Sequence, residues 1–391
     1  MKLLWLTVAP LDTPGFRVTQ FGMAIALERL GWEISLISKT NSTKPFDGFP
    51  GFKGRVILIP RKGKILTELN YHRILWKILL KESFDVVIFE PPQLRLVLLP
   101  TLFSLLKIIK PFFVLDVRTP LVEDAVHSYL ERFNYWLTMQ FARWFLPGVT
   151  VITKALKNDL QHFFGKKKPV AIWESGVDAA VFDPDRVTAI SLNNDKLKNR
   201  FVLFNHGSLT FNKGLQELIV SMKRLKSNYP EVALVFMGDG VAKETFKKQV
   251  QGLQLEDTVY FLDTISNADV PGYIAMADIG VNPLPNERCW QVSSPLKLFE
   301  YMSMRKPLVL SDIEAHRSVL GESSFVVYAK EVNPEGIYNA LKLAIERISD
   351  LKKNAYHARE EVINNHTWIK KAEILSDFLF CLMNRKNVKN N

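Results

Sequence analysis

Apolar residues in the first half of the chain fall in short, nearly continuous runs separated by stretches with helical spacing. Runs at 3–8, 33–38, 55–59, 85–89, 112–116 and 149–152 predict strands, with helices between them at, for example, 18–30 and 65–81. Apolar strands that alternate with helices belong to a parallel sheet covered on both faces. The crossovers of such a sheet are right-handed, which gives a doubly wound, Rossmann-like domain. The pattern lapses at 173–185, where Glu174-Ser175-Gly176-Val177-Asp178 and Phe182-Asp183-Pro184-Asp185 carry turn chemistry before a polar run at 191–200. It resumes with strands at 201–205, 233–237, 259–262, 279–282 and 308–310, and helices at 213–225, 242–251 and 270–276. A last amphipathic stretch at 368–383 reads as a closing helix. The expected division is an N-terminal domain over 1–178, a C-terminal domain over 179–365 and a terminal segment over 366–391.

Ligands of doubly wound sheets bind outside the carboxyl ends of the strands. Two such domains in tandem therefore predict a cleft between them. One stretch stands out as a ligand element: Ser293-Ser294-Pro295-Leu296-Lys297-Leu298-Phe299-Glu300-Tyr301-Met302, followed by a strand-like run at 308–310. Proline suits the first helical position, and the free N–H groups of that turn suit an anion such as phosphate. Glu300 lies further along the same helix, where its carboxylate can accept hydrogen bonds from a ligand.

Bulk composition narrows the partners. The 391 residues allow two domains, and 47% apolar content is ordinary for a globular chain. Two distant cysteines, Cys289 and Cys381, make neither a disulfide framework nor a metal cluster and suit a reducing cytosol. The net charge of +11 points to an anionic partner, yet no nucleic-acid-binding motif is present. The N-terminus reads as a buried strand rather than a signal peptide, since Asp12 and Pro14 follow too soon. The most apolar stretch, 94–113, is broken by Arg95, Pro100, Lys107 and Lys110, so no transmembrane helix is expected.

Two further loops could hold a ligand. Gly207-Ser208-Leu209-Thr210-Phe211-Asn212-Lys213-Gly214 lies between a strand and a helix, with Lys213 at the helix mouth as a point charge for phosphate. Met237-Gly238-Asp239-Gly240 follows a strand but is too short for a dinucleotide fingerprint. Alone, the first is equally compatible with a plain turn, and the second reads better as a turn.

Taken in order, Gly176-Val177-Asp178 with Phe182, Gly207 with Lys213-Gly214, Gly238-Asp239-Gly240, Ala277-Asp278, the stretch Ser294–Met302, Lys306-Pro307-Leu308-Val309 and Trp368 resemble the retaining glycosyltransferases of family 4. The resemblance runs over nearly the whole chain and is specific in the second half. It implies an α/β GT-B fold, with two Rossmann-like doubly wound domains facing a central cleft and a C-terminal helix closing back on the N-terminal domain. It also implies a nucleotide-diphosphate sugar as donor, a co-substrate rather than a resident cofactor, and no metal. Lys213 would pair with the diphosphate, amides near Ser294, Pro295 and Leu296 would cradle it, and Glu300 would bind the ribose hydroxyls. Gly207, Ser208, Gly214, Gly238, Gly240 and Lys297 complete the expected donor site. Lys213 and Glu300 are also expected to be catalytic, together with Asp116 and Arg118 of the Asp116-Val117-Arg118-Thr119-Pro120 segment. Gly15 is expected in a loop close to donor and acceptor.

Two positions depart from the family pattern. Val292 stands where the first glutamate of a Glu–seven residues–Glu motif would fall, and Ser208 replaces the usual arginine beside the first glycine. Arg288, Lys297 or Arg118 could supply the missing charge.

The expected activity is transfer of a sugar, with retention, to a glycan or lipid-linked acceptor in cell-surface polysaccharide or glycolipid synthesis. A GT-B nucleotide-sugar epimerase and a non-catalytic nucleotide-sugar-binding subunit of a glycan-assembly complex remain alternatives. Apolar-basic segments at 72–81 and 133–145 suit a peripheral contact with an anionic membrane surface. The expected location is the cytoplasm, at the inner face of the cell membrane, with no nucleic-acid partner.

Overall fold

The computed structural model describes residues 1–13, 17–42, 46–118, 129–189 and 197–388. Gly15, Thr119 and Pro120 lie outside the described residues. The chain forms two compact units: Met1–Gly176 with Val292–Ser294 and Trp368–Asn391, and Val177–Gln291 with Pro295–Thr367.

The first unit carries β1 (Lys2–Leu6), β2 (Glu33–Thr40), β3 (Arg55–Pro60), β4 (Val86–Phe89), β5 (Phe112–Val117), β6 (Val149–Val151) and β7 (Val170–Ile172). They form one parallel sheet in the order β3-β2-β1-β4-β5-β6-β7. The Val-Val-Ile-Phe run of β4 is buried along its whole length, as expected of a central strand with helices on both faces. Strand order reverses between β1 and β4, the switch point at which such sheets bind ligands. The helix Trp368–Val388 closes onto this unit: Trp32 Nε1 donates to Ser376 Oγ (2.9 Å), and Lys371 pairs with Glu174 (2.8 Å).

The second unit carries β8 (Phe201–His206), β9 (Val232–Met237), β10 (Val259–Leu262), β11 (Ile279–Asn282), β12 (Leu308–Ser311) and β13 (Val326–Ala329). Its parallel order, β10-β9-β8-β11-β12-β13, repeats the design, with the switch point between β8 and β11. Each unit has its own apolar core, for example Leu203, Leu218 and Phe236 in the second.

Two elements differ from expectation. Pro295 does not occupy the first helical turn; it caps a helix that runs Leu296–Ser303, at φ −74° and ψ 106°. The stretch 94–113, read only as a failed membrane span, begins with the helix Leu94–Leu105, which carries Pro100 buried in its interior.

Candidate functional site

In the second unit the β8 loop turns at Gly207 and runs through a short turn, Phe211–Lys213, into the helix Leu215–Asn228. Gly214 joins that turn to the helix at a left-handed φ of 66°. This path folds Lys213 back over its own loop, where Nζ donates to the Ser208 carbonyl (3.2 Å) and hydroxyl. Trp290 braces the turn: Nε1 donates to the Asn212 carbonyl (2.8 Å), and the ring lies 5.9 Å from Lys213 Nζ.

The β9 loop supports this one from beneath. Gly207 N donates to the Met237 carbonyl (2.8 Å), and Leu209 N to the Asp239 carbonyl (2.9 Å). A Cβ on Gly238 would lie 2.1 Å from the Gly207 carbonyl oxygen, and one on Gly240 would lie 2.2 Å from that of Leu209. Both positions also have positive φ, so the two glycines are required by loop-on-loop packing.

The helix Leu296–Ser303 brings Lys297 to the same place. Its Nζ lies 3.9 Å from where a Cβ on Gly207 would be, and it donates to Asn282 Oδ1 at the end of β11 (3.3 Å). Burial pushes Lys297 down to about 7, helped by the Lys213 charge and opposed by Glu300. Burial pushes Lys213 down to about 8. Two ammonium groups are thus held close together and short of solvation, a condition that a bound dianion would relieve. Of the two proposed substitutes for the missing arginine that lie in this unit, Lys297 is the one whose charge interacts with that of Lys213. Arg288 is exposed on the turn Arg288–Gln291 and donates to Gln291 (3.2 Å).

Glu300 is 3% exposed, one turn further along the helix. Its Oε2 lies 3.2 Å from His206 Nε2 at the end of β8, but off line, and neither atom has a hydrogen-bond partner among the described residues. The His206 ring packs edge-on to Tyr301 and stacks on Phe204. Buried polar atoms are rarely left unpaired, so this pair has capacity for a ligand hydroxyl.

The first unit holds a second polar cluster at its switch point. Asp116, fully buried on β5, accepts from Thr150 Oγ1 (2.8 Å) and Trp173 Nε1 (3.1 Å) through Oδ1, while Oδ2 is unpartnered. Arg118 lies flat over the Trp173 ring, 3.7 Å from its centroid. Glu90, directly after β4, accepts from Thr7 Oγ1 (2.7 Å) and Val8 N (3.3 Å). Burial raises its carboxyl to about 7, against the Thr7 hydrogen bond.

Val292 and Ser294 belong to this unit as well. Val292 is 1% exposed in the apolar core, and its carbonyl accepts from Thr153 Oγ1 (2.8 Å), so the missing glutamate has become a core residue. Ser294 does not cap the following helix. Its Oγ accepts from Ser175 N (2.9 Å), and its carbonyl accepts from Ser175 Oγ (3.0 Å).

Comparison with known proteins bears on the family and the fold. Residues 16–181 match the family described as Glycosyltransferase Family 4, and residues 188–361 match Glycosyl transferases group 1. The chain belongs to glycosyltransferase family 4. Among curated proteins, it is 30% identical over 120 residues to an uncharacterized glycosyltransferase, MJ1059, of Methanocaldococcus jannaschii. That stretch is 29% of this chain and spans 27% of the relative's length. Solved structures share the whole fold. Sucrose-phosphate synthase from Thermosynechococcus elongatus has a TM-score of 0.78 at 14% identity, over 98% of this chain and 100% of that one. Anabaena HepE in complex with UDP-glucose has a TM-score of 0.73 at 16% identity, over 97% and 100%. At these identities the likeness is one of GT-B fold.

Buried polar residues that sequence reasoning did not single out are Glu90 in the first unit and His206, Asn282 and His316 in the second. Each lies at or just beyond the carboxyl end of a strand, or packs against one. A lone polar residue closing an apolar run was the available signal.

Proposed function

We propose that this family 4 member transfers a sugar from a nucleotide-diphosphate sugar to a glycan or lipid-linked acceptor, with retention of anomeric configuration, in cell-surface polysaccharide or glycolipid synthesis. The observation that carries the donor reading is the convergence of Lys213 and Lys297 on the Gly207 loop, at the switch point of the second sheet. In this reading both lysines take the diphosphate, supported by backbone N–H groups opening the helix Leu296–Ser303, and Glu300 takes the ribose hydroxyls. Ammonium groups already aimed at the departing diphosphate stabilise the charge that develops on it, without a metal. HepE, of the same fold, was solved with UDP-glucose, which favours a nucleotide-sugar donor here. Retention rests on the family resemblance.

The acceptor reading includes a peripheral contact with an anionic membrane surface, as part of work at the inner face of the cell membrane. Its support is the apolar surface of the first unit. The helix Tyr129–Phe145 exposes Leu130 (76%), Phe133 (58%), Trp136 (52%) and Trp144 (70%), with Arg132 and Arg143 interleaved. The helix Lys64–Lys81 exposes Leu69 and Leu80 among its cations. Aromatic and cationic side chains in this mixture suit a headgroup boundary. Among the described residues, no helix is long and apolar enough to cross a membrane.

The test is product analysis of the purified protein with a panel of nucleotide-sugars and a membrane-lipid extract, reading the new linkage by NMR. Glycosylated lipid or glycan with the donor's anomeric configuration supports the reading. Epimerised donor, or nucleotide binding with no turnover, would replace it with the epimerase or the binding-subunit alternative.

A further inference from the structure

His316, on the helix Glu314–Leu320, is fully buried and close enough to Lys297 to feel its charge. Ring Nδ1 faces Ser311, whose hydroxyl lies 3.4 Å away and whose carbonyl oxygen is closer. Nδ1 lies 2.8 Å from the Ser311 carbonyl oxygen, which can only accept, so Nδ1 carries the proton. Burial pushes His316 down to about 4, so the ring is neutral and Nε2 presents a lone pair. Nε2 lies 3.3 Å from the Asn282 side-chain amide. An acceptor there demands the NH₂ end, so Asn282 must turn its Oδ1 the other way. That oxygen is the atom that meets Lys297 Nζ.

We propose that His316 is a positioning residue for the diphosphate site: by fixing the Asn282 amide, it holds an acceptor against Lys297 and keeps that ammonium beside Lys213. The inference rests on the reading that Lys297 binds diphosphate. With the amide reversed, an NH₂ group would face the ammonium, favouring its neutral form. The charged groups around Lys297 are Lys213 and Glu300, and those around His316 are Lys297 and Asp312. Lys297, a donor, already favours Oδ1 on its side of the amide, and His316 reinforces that orientation from the NH₂ end.

The test measures UDP affinity by calorimetry from pH 6 to 9, with GDP alongside, in wild type, His316→Phe and His316→Phe/Asn282→Asp. A carboxylate has no wrong way round, so it should replace the oriented amide. Expected is a roughly tenfold weaker affinity for His316→Phe, a number set by one charged hydrogen bond. The pH at which its affinity falls should move lower, and the double variant should bring that pH back to the wild-type value or above. An unmoved pH profile in His316→Phe, or no recovery in the double variant, would overturn the proposal. Asn282→Asp alone provides a readout independent of nucleotide. It places an acceptor opposite Nε2, so the His316 ring titration followed by NMR should rise from about 4 toward neutrality; an unchanged titration would sink the coupling. If wild type binds no nucleoside diphosphate, the donor reading fails while this NMR arm still decides whether His316 and Asn282 are linked.

Discussion

His206 Nε2 and Glu300 Oε2 approach to 3.2 Å at the end of β8, yet neither completes a hydrogen bond. A ribose hydroxyl placed beside the pair, within reach of both atoms, would donate to the carboxylate and satisfy the ring nitrogen. Hydrogen bonds to charged groups contribute about 1.5–3 kcal/mol, equivalent to roughly tenfold to hundredfold in affinity. Glu300→Gln should therefore weaken binding of a ribonucleoside diphosphate by that factor. It should cost little with the 2′,3′-dideoxy analogue. Equal losses for both ligands in calorimetry would remove ribose recognition from Glu300.

The paired lysines make donor binding pH-dependent, and the sign follows from their shifts. Lysines ordinarily titrate near 10.5, but Lys297 and Lys213 lie near 7 and 8 in the free protein. A bound diphosphate restores their protons, so binding takes up protons between about pH 7 and 10 and affinity falls as pH rises through that window. Calorimetry at pH 8 in buffers of different ionisation enthalpy should show net proton uptake. A nucleotide affinity that is flat from pH 6.5 to 9 would contradict the arrangement.

Glu90 gives a separate pH signature, in stability. Its folded value, about 7, exceeds the ordinary 4.5, so the folded state binds more protons between those limits. Stability contributed by this group is present below about 4.5 and lost as pH rises through 7. Glu90→Gln keeps an oxygen for Thr7 and Val8 but cannot ionise. The Tm difference, variant minus wild type, should therefore grow from pH 4.5 to pH 8. A difference independent of pH would show that Glu90 does not titrate there.

Trp173 serves two partners at once, donating to Asp116 and carrying the Arg118 guanidinium on its face. Trp173→Phe removes the N–H and leaves Asp116 Oδ1 to Thr150 alone. The cost should be about 1–3 kcal/mol by denaturant unfolding of the full chain, the worth of one buried hydrogen bond to a carboxyl group. A change within about 0.5 kcal/mol would mean the indole N–H is dispensable.

The paired sheets were legible because their strands are apolar on both faces: 86–89 and 233–237 could hardly be anything else. β7 escaped because Val170–Ile172 is three residues long and follows a lysine run, which masks its pattern. Lys213, Lys297 and Glu300 stood out because they recur in a recognisable order. Asn282 and His316 did not, because their importance lies in hydrogen-bond direction between segments far apart in sequence. Val292 read only as a missing charge, whereas its core packing depends on the first unit reclaiming 292–294 from the middle of the second half.

The most direct measurement is calorimetric titration of the wild-type protein and Lys213→Ala with UDP-glucose and other nucleotide-sugars, alongside turnover with a lipid extract. Wild type should bind one class of nucleotide-sugar and turn it over. The variant should keep its Tm and lose turnover by orders of magnitude, because in the proposed site the half-buried Lys213 ammonium stabilises the departing diphosphate. Near-wild-type turnover in Lys213→Ala would contradict the diphosphate site as assigned.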